Sequence, residues 1–311
     1  MNFPAKILLF GEYGILLNSK ALSIPYPRFY GKFRFVDAYS GCLPEKETES
    51  NDGLRRLLDY FKSRTGQFGY LQLDRFEKEV NQGIYFDSSI PSGYGLGSSG
   101  ALTAALFHRY AIHSDPDSLR EVKEQLASIE SCFHGLSSGI DPLTSLLKTP
   151  VLLDSGNSMY TSVNLSDFFK TYTLFLINTH TKGDTGVMAG HFMEECLQPR
   201  YKEKIDAEYL PLINQTIDAA LAADFESFDS LVEEYSVFQL SFFEKMIPAP
   251  MRKYVAYGIE TGDFHLKLCG SGGGGYMLAI SRSRPEAERF FNVSQLDYSV
   301  VNKAEIETFI F

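Results

Sequence analysis

The sequence predicts an α+β protein of two domains. Three observations point there. Short apolar runs of strand length and helical periods follow one another along the whole chain. At 311 residues the chain holds two domains of roughly 150 residues each. Two glycine-rich segments, one in each half, sit beside apolar strands or helices.

Ala5–Phe10 is an apolar run around Lys6, bounded by Pro4 and Gly11, and reads as a buried strand. Leu22–Tyr39 alternates loosely between aromatic or β-branched and other residues, giving one or two strands. Apolar residues at 54, 57, 58 and 61 set a helical period over Asp52–Arg64. Tyr70–Arg75 and Ile84–Ser88 read as strands. Beyond Pro91 a glycine-rich turn leads into an alanine-rich helix, Ser99–Ala111. A second helix, Asp117–Phe133, is broken by the glycines and polar residues of His134–Gly139. Val151–Leu153 and Thr171–Ile177 read as strands, so the domain boundary is expected near 165–170, dividing the chain into 1–168 and 169–311. Lys204–Met246 is mostly helical with a break near Asp224, and Pro248 and Pro250 stop it. Met251–Ile259 is another helix. His265–Cys269 and Tyr276–Ile280 are strands around the second glycine run, followed by a helix, Ser283–Asn292, and a last strand near Ser299.

Composition narrows the function. The net charge of −10 argues against binding nucleic acid or an anionic membrane through bulk charge, while leaving room for a small anion in a local pocket. Cys42, Cys132, Cys196 and Cys269 lie far apart with no CxxC spacing, which fits a reducing cytoplasm better than a disulfide framework or zinc knot. The apolar start is cut at once by Gly11 and Glu12, so no signal peptide is expected. No stretch approaches the roughly 20 apolar residues of a membrane span. The six histidines, His108, His113, His134, His180, His191 and His265, form no metal-ligand spacing and read as structural or surface residues.

The most informative segment is Ile90-Pro-Ser-Gly-Tyr-Gly-Leu-Gly-Ser-Ser-Gly-Ala101. Its Gly95-x-Gly97-x-x-Gly100 matches the dinucleotide fingerprint in letters, but Pro91 and a polar strand end stand where that motif has a buried strand. The lysine of a Walker A loop is absent. What remains is a glycine turn, two serines and a helix N-terminus, which together make an anion site for phosphate. Ser98 and Ser99 can donate to phosphate oxygens, or one can bind magnesium; a simple serine N-cap is the bland alternative. Gly270-Ser-Gly-Gly-Gly-Gly275 puts five glycines in six residues between two strands. A hairpin needs only two, so a backbone facing a ligand is expected there.

With these loops in view, the sequence resembles the GHMP kinase superfamily, and within it the mevalonate kinase family. Pro4-Ala-Lys-Ile-Leu-Leu-Phe-Gly-Glu-Tyr13, Gly95-Leu-Gly-Ser-Ser-Gly-Ala101 and Lys267-Leu-Cys-Gly-Ser-Gly-Gly-Gly-Gly275 follow the three family motifs in order. Glu130 and, eleven residues on, Asp141 resemble the pair of magnesium-ligand glutamate and catalytic aspartate. Asn178–Thr185 is similar to the substrate-side strand and turn. The resemblance implies an N-terminal domain like ribosomal protein S5 domain 2, a ferredoxin-like C-terminal domain, and ATP and Mg²⁺ in the cleft between them. It implies phosphorylation of the primary hydroxyl of mevalonate or a related hydroxy acid, with Asp141 and Lys6 catalytic. It assigns Gly95, Leu96, Gly97, Ser98, Ser99, Gly100 and Ala101 to the nucleotide. Ser99 and Glu130 fall to the metal, and Glu12, Tyr13, Thr185, Gly272, Gly273 and Gly274 to the acceptor. A homodimer is compatible with the sequence, which does not itself identify the oligomeric state.

Tyr13 stands where mevalonate kinases have histidine, Ala5 and Gly100 replace a glycine and an alanine, and similar loops occur in phosphomevalonate kinases. Phosphomevalonate kinase or another superfamily kinase is therefore the alternative enzyme. A non-catalytic ligand sensor on the same fold is an alternative of another class, and a nicotinamide oxidoreductase rests only on the GxGxxG letters. A continuous helix would hold Glu130 and Asp141 about 16 Å apart. The break at Gly135–Gly139 lets the chain fold back and bring both to one cleft. Asp141-Pro142 also suits a helix start, with Asp141 as cap. Lys6, within its strand, either extends its stem to water or points into the site.

Overall fold

The computed structural model describes residues 1–36, 45–112, 118–154, 158–161 and 163–302, apart from the side chain of His134. Cys42 and His113 lie outside these residues.

Two antiparallel sheets carry the chain. The first is built on β1 (Phe3–Phe10) and the long β2 (Ala21–Phe35), with β3 (Ile84–Ser88), β4 (Val151–Leu153) and β5 (Met159–Tyr160). Of the stretch Leu22–Tyr39, residues 37–39 lie outside the described residues, and the described part is one strand, β2, which ends at Phe35 and serves several partners along its length. Its start pairs with β4, its first two thirds with β1, and its end with β3. The second sheet has the order β7-β8-β6-β9, from β6 (Thr173–Asn178), β7 (His265–Leu268), β8 (Tyr276–Ser281) and β9 (Tyr298–Val301).

The helices are α1 (Glu45–Lys62), α2 (Thr65–Phe68), α3 (Leu73–Asn81), α4 (Ser98–Tyr110), α5 (Leu119–His134), α6 (Ile140–Leu147) and α7 (Ser166–Thr171). After β6 come α8 (Thr185–Glu195), α9 (Pro199–Lys204), α10 (Leu210–Ala222), α11 (Phe225–Phe242), α12 (Ala249–Thr261) and, after β8, α13 (Arg284–Val293). The expected strand Tyr70–Arg75 is a correction. Only Leu71 bridges, to Ala111, and Leu73 opens α3. The alternation of Leu71 and Leu73 masked a helical period through Leu73, Phe76 and Val80, of which Phe76 and Val80 are buried. Helices α8 and α9 were not expected at all. One buried side chain, Phe192, in the first and none in the second leave almost no apolar stripe to read.

Strand β1 is buried along its whole length. Successive side chains of a strand point to opposite faces, and β1 uses both. Ala5, Ile7 and Leu9 enter a hydrophobic cluster that runs on through β6, β7, β8, α10 and α11. Leu8 enters a second cluster with Leu54, Phe61, Leu106 and Leu126 from α1, α4 and α5. Lys6 shares the parity of Leu8, and at that point the packing opens into a cleft.

Candidate active site

The cleft holds about 490 Å³ and is lined from both halves of the chain: Lys6, Glu12 and Tyr13 at the end of β1, the loop Pro91–Ser99, Glu130 and Asp141, then Lys182–Thr185, Gly270 and Ser271. The glycine loop is fastened to the first strand, since Lys6 donates its backbone N–H to Leu96 O at 3.0 Å. Gly97, in the left-handed region at φ 72°, is the N-cap of α4 and supplies no side-chain cap. The serine-cap alternative therefore fails. The first-turn amides of α4 face the cleft without a capping oxygen, which is the arrangement that binds an anion.

Each glycine of Gly95-x-Gly97-x-x-Gly100 meets a different partner. A Cβ on Gly95 would lie 2.0 Å from the carbonyl oxygen of Cys269, one on Gly97 2.8 Å from Cγ of Lys6, and one on Gly100 3.0 Å from Asp141. The spacing thus packs one loop against the second glycine segment, the lysine strand and α6 at once.

Lys6 does not reach water. Its side chain is 3% exposed, and its Nζ lies 2.8 Å from Oδ2 of Asp141. Burial alone would depress the Lys6 ammonium, but attraction to Asp141, with help from Cys269 and Glu130, holds it above its ordinary value. Asp141 lies within the first turn of α6, whose N-cap is Gly139, so the cap reading of Asp141 is also corrected. The chain does fold back. Helix α5 ends at Gly135 and α6 begins at Ile140, and both carboxylates line the cleft.

Glu130 is buried and accepts from Ser99 Oγ at 3.2 Å and from Ser137 Oγ. Burial first, then the charge of Asp141, pushes its carboxyl up to about 7, while Ser137, Lys6 and Ser99 pull it back. Ser137 also accepts from the N–H of Gly139 at 3.0 Å, so it ties Glu130 to the turn that starts α6. Sequence reasoning missed Ser137, because nothing sets it apart from its neighbour Ser138.

Glu12 lines the cleft, yet its carboxylate is spoken for. It is paired with Lys267, both side chains being wholly buried, and accepts from Tyr235 Oη at 2.7 Å. Lys267 also donates to Leu268 O at 2.7 Å and lies over the rings of Phe10 and Tyr235. Tyr209 donates to Glu12 O at 3.1 Å, and Gln239 links Tyr209 to the amide of Leu268. The buried pair thus joins the loop after β1 to β7. Like Lys6, Lys267 is a cation inside an apolar run, a signal that was available in the sequence.

Tyr13 adopts φ 60° and donates its hydroxyl to Ser271 O, with its ring 4.8 Å from that of Phe192. Ser271 in turn donates to Thr185 Oγ1 at 3.1 Å. Of the second glycine segment, only Gly270 and Ser271 line the cleft. A Cβ on Gly272, Gly273 or Gly274 would meet Met246 O, the Met188 side chain or Thr181 O, so these glycines pack closely against protein. Ala101 is buried in the core and Gly100 sits behind the loop, outside the cleft lining.

Among the described residues no group of three or more His, Cys, Asp or Glu side chains is placed to hold a metal unaided. Cys132, Cys196 and Cys269 are free thiols, and no helix is long and apolar enough to cross a membrane.

Residues 55–148, which contain the glycine loop, Glu130 and Asp141, match the family described as GHMP kinases N terminal domain. Mevalonate kinase of Pyrococcus horikoshii is 25% identical over 311 aligned residues, covering 90% of this chain and 88% of that protein. With mevalonate kinase of Pyrococcus abyssi the identity is 28% over 159 residues, 46% of this chain, and the chain spans about half (48%) of that relative's length. In fold, L. major mevalonate kinase in complex with R-mevalonate aligns over 97% of this chain and 95% of its own, at 15% identity and a TM-score of 0.65. Streptococcus pneumoniae phosphomevalonate kinase, in complex with phosphomevalonate and AMPPNP, aligns over 97% and 99% at 14% identity and a TM-score of 0.64. The two likenesses in fold are near equal, so the fold by itself does not favour one of these neighbours over the other.

Proposed function

We propose that the chain, divided at 168/169 into two domains, is an ATP-dependent kinase that phosphorylates the primary hydroxyl of mevalonate, using Mg²⁺, in the cytoplasm. The observation that carries this reading is the Lys6–Asp141 ion pair standing beside the uncapped N-terminus of α4 in one cleft. The amides of Ser98 and Ser99 bind the phosphates, and Phe86, Leu102, Phe133 and Leu136 offer apolar surface for the base in the same cleft. Ser99 and Glu130 suit magnesium. They are two oxygen donors already in contact around a buried carboxyl group that makes no ion pair among the described residues, and magnesium takes one or two protein oxygens with phosphates and water. When bound, the ion neutralises charge on the phosphate oxygens.

Asp141, held by Lys6, accepts the proton of the acceptor hydroxyl as the new O–P bond forms and the bond to the ADP oxygen breaks. Lys6 holds Asp141 in place through the ion pair and offsets the charge on the phosphoryl group in flight. Free thiols at Cys132, Cys196 and Cys269 fit a reducing compartment. The test is ATP turnover measured in parallel with mevalonate, phosphomevalonate, galactose and homoserine. Turnover with mevalonate is expected. Turnover with phosphomevalonate alone would move the acceptor while leaving the chemistry, and binding of ATP with no turnover on any alcohol would point to a ligand sensor.

A further inference from the structure

Six charged side chains line the cleft: Lys6, Lys182, Glu12, Glu130, Asp141 and Asp184, with no arginine or histidine among the described residues. Five of them have partners. Lys6 holds Asp141, Glu12 holds Lys267, Glu130 is bonded to Ser99 and Ser137, and Asp184 caps α8 by accepting from the N–H of Val187 at 3.1 Å. Lys182 is the exception. Its ammonium makes no hydrogen bond or ion pair among the described residues, although its stem is fixed against Gly93, whose Cβ would lie 2.6 Å from Lys182 Cγ. Gly183 is fastened to the same place by donating to Gly93 O at 2.9 Å.

Lys6 rests on Gly97 of that loop in the same manner. The two lysines therefore flank one short loop, and four residues of chain reach at most about 14 Å even when extended. One lysine is engaged with the base; the other is free to bind an anion a short distance away. Beside Lys182 lie Thr185 and Ser271, whose hydroxyls already touch.

We propose that Lys182 is the acceptor's charge anchor, pairing with a single carboxylate on a short hydroxy acid while the hydroxyl meets Asp141. This rests on the kinase reading above and deepens it. An acceptor that already carries a phosphate brings about 1.5 to 2 further negative charges. Against those the cleft offers no second uncommitted cation among the described residues, and Asp184 adds repulsion. The geometry thus selects a monoanionic acceptor over a phosphorylated one.

The experiment is steady-state kinetics of the full chain and of Lys182→Gln and Lys182→Arg, with ATP varied and with three acceptors: mevalonate, phosphomevalonate and the neutral triol in which the mevalonate carboxylate is reduced to an alcohol. A charge-assisted hydrogen bond lost from a partly open site raises KM by about 10- to 100-fold. Lys182→Gln should raise KM for mevalonate by that factor, leave kcat and KM for ATP near wild type, and leave the triol unchanged; Lys182→Arg should recover most of the loss. A rise in KM for ATP instead would make Lys182 a nucleotide contact and overturn the assignment, as would an unchanged KM for mevalonate. Equal wild-type efficiency with phosphomevalonate would overturn the charge selection. Absence of wild-type turnover with every acceptor would strike the kinase reading itself, a result distinguishable from all of these.

Discussion

Removing the cation from the buried pair at the back of the cleft should cost more than any other single change described here. Lys267 and Glu12 are both fully buried, so Lys267→Met leaves a carboxylate that keeps only the Tyr235 hydroxyl at 2.7 Å. Breaking a buried pair from one side typically costs about 3–5 kcal/mol, because the surviving charge stays desolvated. Native proteins hold only about 5–15 kcal/mol in total, so the variant should lie near its unfolding threshold. At about 2–4 °C per kcal/mol the melting temperature should fall by about 6–20 °C. Glu12→Gln with Lys267→Met replaces both charges by neutral groups of similar size and should recover at least about 1 kcal/mol of the loss. Urea unfolding of the wild type, both single variants and the double variant closes the cycle, with KM for the acceptor measured on each. If Lys267→Met unfolds within about 0.5 kcal/mol of wild type, the pair is not a stabilising clamp. If Glu12→Gln raises KM for the acceptor without changing stability, Glu12 binds substrate and the clamp account is wrong.

Other substitutions test the site directly. Asp141→Asn should lower kcat by at least about 100-fold, since it removes the proton acceptor, and should also cost about 1–3 kcal/mol, since it strands the buried Lys6 ammonium; intact kcat in a folded variant would place the base elsewhere. Gly95→Ala should destabilise by about 1–3 kcal/mol and weaken ATP binding, because its Cβ would lie 2.0 Å from Cys269 O at a left-handed φ of 78°. Gly66→Ala, with nothing within 4 Å of the new Cβ, is the control and should be neutral or slightly stabilising; equal effects from the two would remove the steric argument. The Glu130 carboxyl is raised in the folded state from its ordinary 4.5 to about 7, so the folded protein holds the extra proton between those values. Its contribution to stability is therefore present at low pH and lost as pH rises through about 7. Thermal melts of the ligand-free wild type and Glu130→Gln at pH 5 and pH 7.5 should show the gap between them change with pH; a constant gap would contradict the assigned burial.

Much of this was legible because strong patterns and strong chemistry coincide. The lysine inside Ala5–Phe10, the glycine loop before an alanine-rich helix, and the break between Glu130 and Asp141 each mark a position where ordinary core or helix rules are broken for a reason. What stayed hidden was relational. Gly272, Gly273 and Gly274 look like Gly95 in the sequence, but only the tertiary neighbours Met246, Met188 and Thr181 show that they pack against protein. Glu12 reads as a polar residue by a cleft until Lys267 arrives 255 positions later to neutralise it. Lys182 has no local signal, because a surface lysine in a turn is ordinary until every other charge nearby is accounted for. Helix α8 carries one buried side chain and so had almost no period to display.

The larger hydrophobic cluster does not stop where one sheet ends and the next begins; it runs from Phe3, Ile7 and Leu9 to Leu176, Leu266 and Val301 without a gap. The cleft is therefore a groove cut into the surface of a continuous solid, floored by the same packing that holds the chain together. A rigid swing of one half against the other would expose part of that floor to water, at the cost of its buried apolar surface. The same continuity removes any independent half. Cut at 168/169, each piece would bare the share of that cluster the other covers, so heat or urea should melt both sheets in one transition in a protein large enough for two.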